Sequence, residues 1–144
     1  MHSAIAERIA REAHAGQTEE STGDNYIRHV ERVVALVEGC DEKAVAWLHD
    51  VIEDSRFYAS NLFAAGIPWR IIDAVVWLTR PEFGSYAEYI QMIKDSGDPL
   101  AIAVKIADLR DHLRPPGLFC LVPSLRKRYE AAWLRLTGEP WKPS

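Results

Sequence analysis

His29, the adjacent pair His49-Asp50, and Asp108 are the residues of this chain whose types suit one piece of chemistry. Two imidazoles and two carboxylates form the mixed nitrogen and oxygen set that holds a divalent transition ion. Magnesium, which keeps to oxygen ligands, fits the set less well. His49-Asp50 runs on into Val51-Ile52-Glu53-Asp54, which adds two carboxylates one helical turn later. On a continuous helix His49 and Glu53 are spaced i,i+4, Asp50 and Glu53 i,i+3, and Asp50 and Asp54 i,i+4, so one face presents both ligands and the extra acids. Asp108 lies in the mostly apolar run Ala101-Ile102-Ala103-Val104-Lys105-Ile106-Ala107-Asp108-Leu109. A carboxylate buried in such a run is costly unless paired or bound to metal. Each segment alone has an ordinary reading: a structural histidine, a common dipeptide, an aspartate paired with Arg110 or Arg114. Together and in this order they point to a bound metal and to hydrolysis of a phosphate ester or anhydride.

The elements that must position these residues read as helices. Residues 2–15 are amphipathic, with Ala4, Ile5, Ile9 and Ala13 on one face, and Gly16 ends the pattern. A polar loop over 17–24 precedes a helix over 25–38 carrying Ile27, Val30, Val33, Val34 and Val37. Asp41 is placed to cap a third helix, which runs unbroken to about residue 53 and carries His49, Asp50 and Glu53. A short helix covers 59–65, and another begins at Pro68 and stops before Pro81. A helix over 85–95 follows, with Ser85 or Gly84 at its start. Asp98-Pro99 opens a helix through about 113, ended by Pro115-Pro116-Gly117, and a last helix spans about 124–137. No convincing strand remains. The fold class is all-α, with seven or eight short helices in a single domain over 1–144.

Bulk properties exclude several classes. The chain has 144 residues, a net charge of −4 and 48% hydrophobic residues, an ordinary globular composition. An acidic balance argues against a general nucleic-acid binder. It does not argue against a small anionic substrate, since a bound cation inverts the local field. Cys40 and Cys120 form neither a zinc cluster nor a disulfide framework. With no basic leader followed by an apolar run, and no apolar stretch near the roughly 20 residues that span a bilayer, a cytoplasmic setting without membrane contact is expected.

The segments His14-Ala15-Gly16-Gln17, Gly23-Asp24-Asn25-Tyr26-Ile27-Arg28-His29, Leu48-His49-Asp50-Val51-Ile52-Glu53-Asp54, Leu78-Thr79-Arg80 and Val104-Lys105-Ile106-Ala107-Asp108 resemble, in kind and order, the HD superfamily of metal-dependent phosphohydrolases. The nearest likeness is to the RelA/SpoT-type hydrolase domains and the small alarmone hydrolases. The resemblance implies a compact HD-type helical bundle. It implies one metal, manganese before iron or zinc, on His29, His49, Asp50 and Asp108. It also implies that Glu53 and Asp54 position and activate water, and that the substrate is a nucleotide such as guanosine tetra- or pentaphosphate, losing its 3′-pyrophosphate. Lys105, on the face of Asp108, is placed to hold a phosphate; Tyr26 and His112 complete the expected substrate contacts. A homo-oligomer is compatible with this reading.

Two segments depart from the pattern. The resembling enzymes follow His-x-Gly-Gln with a basic pair, including an arginine that packs on guanine, whereas this chain has Thr18-Glu19-Glu20-Ser21-Thr22. Where they carry asparagine four residues after the metal aspartate, this chain has His112. Two carboxylates at the loop are expected to weaken guanosine tetraphosphate binding or to shift the preferred base, for instance to adenine. A nucleoside monophosphate phosphatase is the second enzyme reading, and a non-catalytic nucleotide-binding regulator the third. The Glu53-Asp54 pair favours an enzyme. Of the remaining residues, His14 and Gln17 read as structural hydrogen-bonding groups. Trp47, Trp69, Trp77 and Trp133 read as packing residues, as do Tyr86 and Tyr89 near the rim. Arg126-Lys127-Arg128 reads as a solvated face, and Asp111 either supports the metal site or faces solvent.

Overall fold

A computed structural model describes residues 2–19, 22–114 and 122–142. Among these residues it is all helical: α1 (His2–Ala13), α2 (Ile27–Ala35), α3 (Cys40–Leu48), α4 (Val51–Asp54), α5 (Ala59–Ala64), α6 (Trp69–Trp77), α7 (Tyr86–Ser96), α8 (Pro99–His112) and α9 (Pro123–Thr137). The expected third helix is two, α3 and α4, divided at His49-Asp50; the other expected helices are each present. The helix breaker read at Pro115-Pro116-Gly117 and the second cysteine, Cys120, lie outside the described residues.

α3 is the axis of the molecule and packs against α1, α2, α6 and α8. Five consecutive residues, Ala44 through Leu48, are buried, so the C-terminal half of α3 is apolar all round, as a helix enclosed by others must be, while Cys40 through Lys43 reach the surface. Around it gather Ala6, Ile9 and Ala10 of α1, Val30 and Val33 of α2, Ile71, Ile72 and Val75 of α6, and Val104 and Leu109 of α8. On α1 the buried stripe is Ala6, Ile9 and Ala10, with Ala4 left exposed. α9 lies across α7 and α8.

Local chemistry fixes the ends. Ser85 Oγ accepts from Glu88 N at 3.0 Å while Glu88 Oε1 accepts from Ser85 N at 2.9 Å, a capping box that starts α7. Asp98 Oδ1 accepts from Leu100 N at 2.9 Å and starts α8, with Pro99 in its first turn. Asp41 does not cap α3. Gly39 is the first flanking residue and Asp41, inside the first turn, pairs with Arg70 instead (2.8 Å). Trp47 is buried, but Trp69 and Trp77 are exposed, and Trp69 stacks on Phe63 at the surface.

Candidate metal centre and cleft

Three parts of the bundle meet at the metal set: α2 brings His29, the α3–α4 junction His49 and Asp50, and α8 Asp108. One ligand atom from each of the four lies within 4.8 Å of the others. His29 Nε2 is 3.0 Å from Asp108 Oδ1, and His49 Nε2 is 2.9 Å from Asp50 Oδ2 and 3.4 Å from Asp108 Oδ1. The break between α3 and α4 makes this convergence possible. Neighbouring residues on a helix point about 100° apart, so a continuous helix would turn Asp50 away from the His49 ring. Asp50 instead adopts φ −109° and ψ 0°, outside the helical region, and swings its carboxylate under His49.

The far nitrogens of both rings are occupied. His49 Nδ1 donates to the Ala46 carbonyl at 2.6 Å, and His29 Nδ1 to Asp111 Oδ2 at 2.6 Å. A ring that donates through Nδ1 presents a lone pair at Nε2, the form in which imidazole ligates metals. His49 Nε2 is buried and, though close to the Asp50 and Asp108 carboxylates, makes no well-aligned hydrogen bond to either. The donor set therefore fits a divalent cation. Its electrostatics say the same. Burial alone would lower the His29 pKa, but hydrogen bonds to Asp108 and Asp111 raise it to about 9. Asp50 and Asp108 likewise outweigh burial at His49 and push it well up. A site that draws protons onto both its imidazoles is a site that demands positive charge.

Neighbouring groups hold the carboxylates. The Tyr26 hydroxyl donates to Asp50 Oδ2, and burial together with Asp50 raises the phenol pKa. Lys105, itself buried, donates to Asp108 Oδ2 at 2.9 Å and lies 5.2 Å from the centre of the Tyr89 ring. His112 Nε2 is 3.3 Å from Asp108 Oδ1, and its ring stacks between His29 and Tyr129, both at 4.7 Å. The three expected substrate contacts thus all border the metal set, and each already touches one of its carboxylates.

Glu53 and Asp54 stand at the mouth of a cleft of about 260 Å³ above this floor. Glu53 Oε1 accepts from the backbone N–H of Arg80 at 3.0 Å, which fixes one of its oxygens. Burial and the charge of Asp50 raise the Glu53 pKa; burial, Asp50 and Glu53 raise that of Asp54 to about 6. The rest of the lining is cationic and aromatic. Arg80 and Arg128 lie 5.4 and 5.1 Å from the centre of the Tyr86 ring, and Tyr129 completes the lining. Neither guanidinium has a carboxylate partner among the described residues.

His14 and Gln17 are structural: His14 Nδ1 meets Gln17 Oε1 at 2.7 Å, and Gln17 Nε2 donates to the Asp54 carbonyl at 2.7 Å. The loop brings a correction. Glu19 does not face an entering substrate; it is buried and bonds Arg32 at 2.7 Å. The expected repulsion therefore loses one of its two charges, and the other residue, Glu20, lies outside the described residues. Asp111 is buried and bonds the far nitrogen of His29, supporting the metal set from behind rather than facing solvent. Sequence reasoning missed Arg32, and it read Arg128 as part of a solvated run although it folds over Tyr86. Arg80 entered only as a motif residue, with no sign of its main-chain bond to Glu53.

No family model matches the chain, and no curated protein matches it. Among solved structures it is similar to a metazoan ortholog of SpoT, described as hydrolysing ppGpp and playing a role in starvation responses. The TM-score is 0.76 at 18% identity, over 96% of this chain and 87% of that one. A likeness at that identity speaks for the fold, and the chain has the helical-bundle fold of this SpoT ortholog, the fold that the HD resemblance in its sequence implied.

Proposed function

We propose that the protein is a metal-dependent phosphohydrolase that removes a pyrophosphate or phosphate group from a nucleotide, with guanosine tetraphosphate as the leading substrate. The observation that carries this reading is the polarity of one cleft. Asp50 and Asp108 of the four-residue metal set line it, His29 and His49 lie buried against them, and Glu53, Asp54, Arg80 and Arg128 share the lining. A divalent cation held by the four floor residues supplies Lewis-acid polarisation of a phosphoryl oxygen and lowers the pKa of water. Manganese is the proposed metal because the family resemblance implies it; the mixed ligand set by itself suits manganese, iron or zinc alike. The chain's own groups do the rest. Water attacks phosphorus, the bond from phosphorus to the ribose oxygen breaks, Glu53, fixed by Arg80 N–H, takes the proton that water loses, and the ribose oxygen leaves as a hydroxyl, taking up one proton from solvent. Asp54 shares the work of orienting that water. Arg80 and Arg128 bind phosphate oxygens, which a planar guanidinium meets with two parallel N–H groups.

Two guanidiniums beyond the metal floor favour a substrate with more than one anionic group over a nucleoside monophosphate. The test is an assay with manganese against guanosine tetraphosphate, its adenosine counterpart and the nucleoside monophosphates, with products identified. Pyrophosphate release from a tetraphosphate is expected. Release of phosphate from monophosphates alone would establish the phosphatase reading in its place, and binding without turnover the regulatory one.

A further inference from the structure

A second set of charges lies directly behind His29. Asp111 of α8, 4% exposed, accepts the His29 Nδ1 proton on Oδ2 and meets Arg32 of α2 with both oxygens, at 2.8 Å to Nε and 3.1 Å to Nη2. Arg114 Nη1 reaches Asp111 Oδ2 at 3.0 Å. The same Nη2 of Arg32 donates to Oε1 of Glu19 at 2.7 Å, and Thr22 Oγ1 donates to Oε2 of Glu19 at 3.1 Å. Glu19, 7% exposed, is held by its backbone as well: its N–H donates to the Asp24 carbonyl at 2.8 Å and its carbonyl accepts from Gly23 N at 2.7 Å. The loop from Gln17 is closed onto the start of α2 by Tyr26 N donating to the Gln17 carbonyl at 2.8 Å.

Glu19, His29 and Asp111 also offer atoms within 4.8 Å of one another. That spacing does not mark a second cation site, because the Arg32 guanidinium already bridges the two carboxylates. Two carboxylates, Glu19 and Asp111, meet two guanidiniums, Arg32 and Arg114. Charges this deeply buried are tolerated only when paired and fully hydrogen-bonded. Asp111 Oδ2 also accepts the His29 Nδ1 proton at 2.6 Å. The Arg32 fork grips both Asp111 oxygens, so the carboxylate cannot rotate, and Glu19 grips the fork from behind.

We propose that Glu19, Arg32 and Asp111 are positioning residues. They form a chain, its two carboxylates buried and its guanidinium half-buried, from Glu19 through α2 to α8 that holds His29 in its Nδ1–H form with Nε2 aimed into the metal set. This rests on the metal-centre reading above and gives the acidic loop residue a task unrelated to the nucleobase. Outer partners of metal-bound histidines commonly set affinity by 10–100-fold.

The test measures cobalt(II) binding to the metal-free full-length chain, with cobalt's visible absorption reporting ligand geometry and thermal melting reporting folding. Asp111→Asn is expected to weaken cobalt affinity roughly 10–100-fold and to alter the spectrum. Glu19→Gln should move both in the same direction by a smaller factor. Arg32→Lys, which keeps the charge but not the fork, should fall between them. Asp41→Asn, which breaks the surface pair with Arg70, should leave affinity and spectrum at wild-type values. A purely structural role for the chain would lower the melting temperature alone. Folded Asp111→Asn with wild-type cobalt affinity and spectrum overturns the proposal, and if that variant does not fold, Glu19→Gln decides by the same criterion. A wild-type chain that binds no cobalt overturns the metal-centre reading itself, a result distinct from either.

Discussion

Each imidazole of the centre has one nitrogen committed to the protein and one left for a ligand. His49 commits Nδ1 to the Ala46 carbonyl and His29 commits Nδ1 to Asp111, so both Nε2 atoms turn toward Asp50 and Asp108. His49→Ala removes a nitrogen ligand from the set, and the purified variant should lose its metal by elemental analysis; equal metal in variant and wild type would move the site elsewhere. Glu53 is different in kind. Its carboxylate, outside the four-residue metal set, comes within 4.8 Å of those of Asp50 and Asp54, and its anchor is the Arg80 backbone N–H at 3.0 Å. Glu53→Gln keeps the shape and removes the base, so metal content should hold while turnover falls by roughly two to four orders of magnitude. Near-normal turnover in Glu53→Gln would assign the base to another group. The types and order of His29, His49, Asp50 and Asp108 were readable in the sequence because a mixed ligand set is a property of residue identity. Where Glu19 turns is not such a property. A carboxylate in a polar loop looks the same whether it meets solvent or Arg32, and only the fold of the 17–25 loop decides.

Among the elements, α8 carries the most of the site. Lys105, Asp108, Asp111 and His112 all project from it, and the first three are buried. Its register over α2 and α3 therefore sets the geometry around the metal. Its start was legible, because Asp98-Pro99 combines a side-chain cap with a residue whose missing N–H costs nothing in the first turn. Asp98→Ala should lower stability by about 0.5–2 kcal/mol. Asp98 caps the far end of the helix from Asp108, so cobalt affinity should stay at its wild-type value. A large loss of affinity in a folded Asp98→Ala chain would mean that the register of α8 depends on its cap rather than on core contacts such as Val104 and Leu109. The division of α3 from α4 was not legible. Residues 41–53 carry good helix formers, and periodicity reads them as one helix. The break follows from the need to bring two adjacent ligands to one point, a tertiary demand that overrides local propensity.

At the scale of the whole molecule, the metal set ties α2, the α3–α4 junction and α8 together around a helix whose C-terminal half is buried on all sides. The helical class followed from the 3.6-residue patterns on the outer elements, whereas α3 shows little pattern because every face of that half, Ala44 through Leu48, is core. Two imidazoles and two carboxylates lie at this junction, and burying such groups opposes folding unless a cation balances them. The ligands come together only in the folded chain, so metal binding should stabilise it. For one site with free ligand at a hundredfold excess over Kd, the gain is about 2.7 kcal/mol. At about 2–4 °C per kcal/mol for a chain of this size, manganese should raise the melting temperature of the chelator-treated protein by roughly 5–10 °C. His49→Ala should erase most of that shift, whereas Glu53→Gln should keep it. An equal rise in His49→Ala would show that the metal stabilises the protein from some other place.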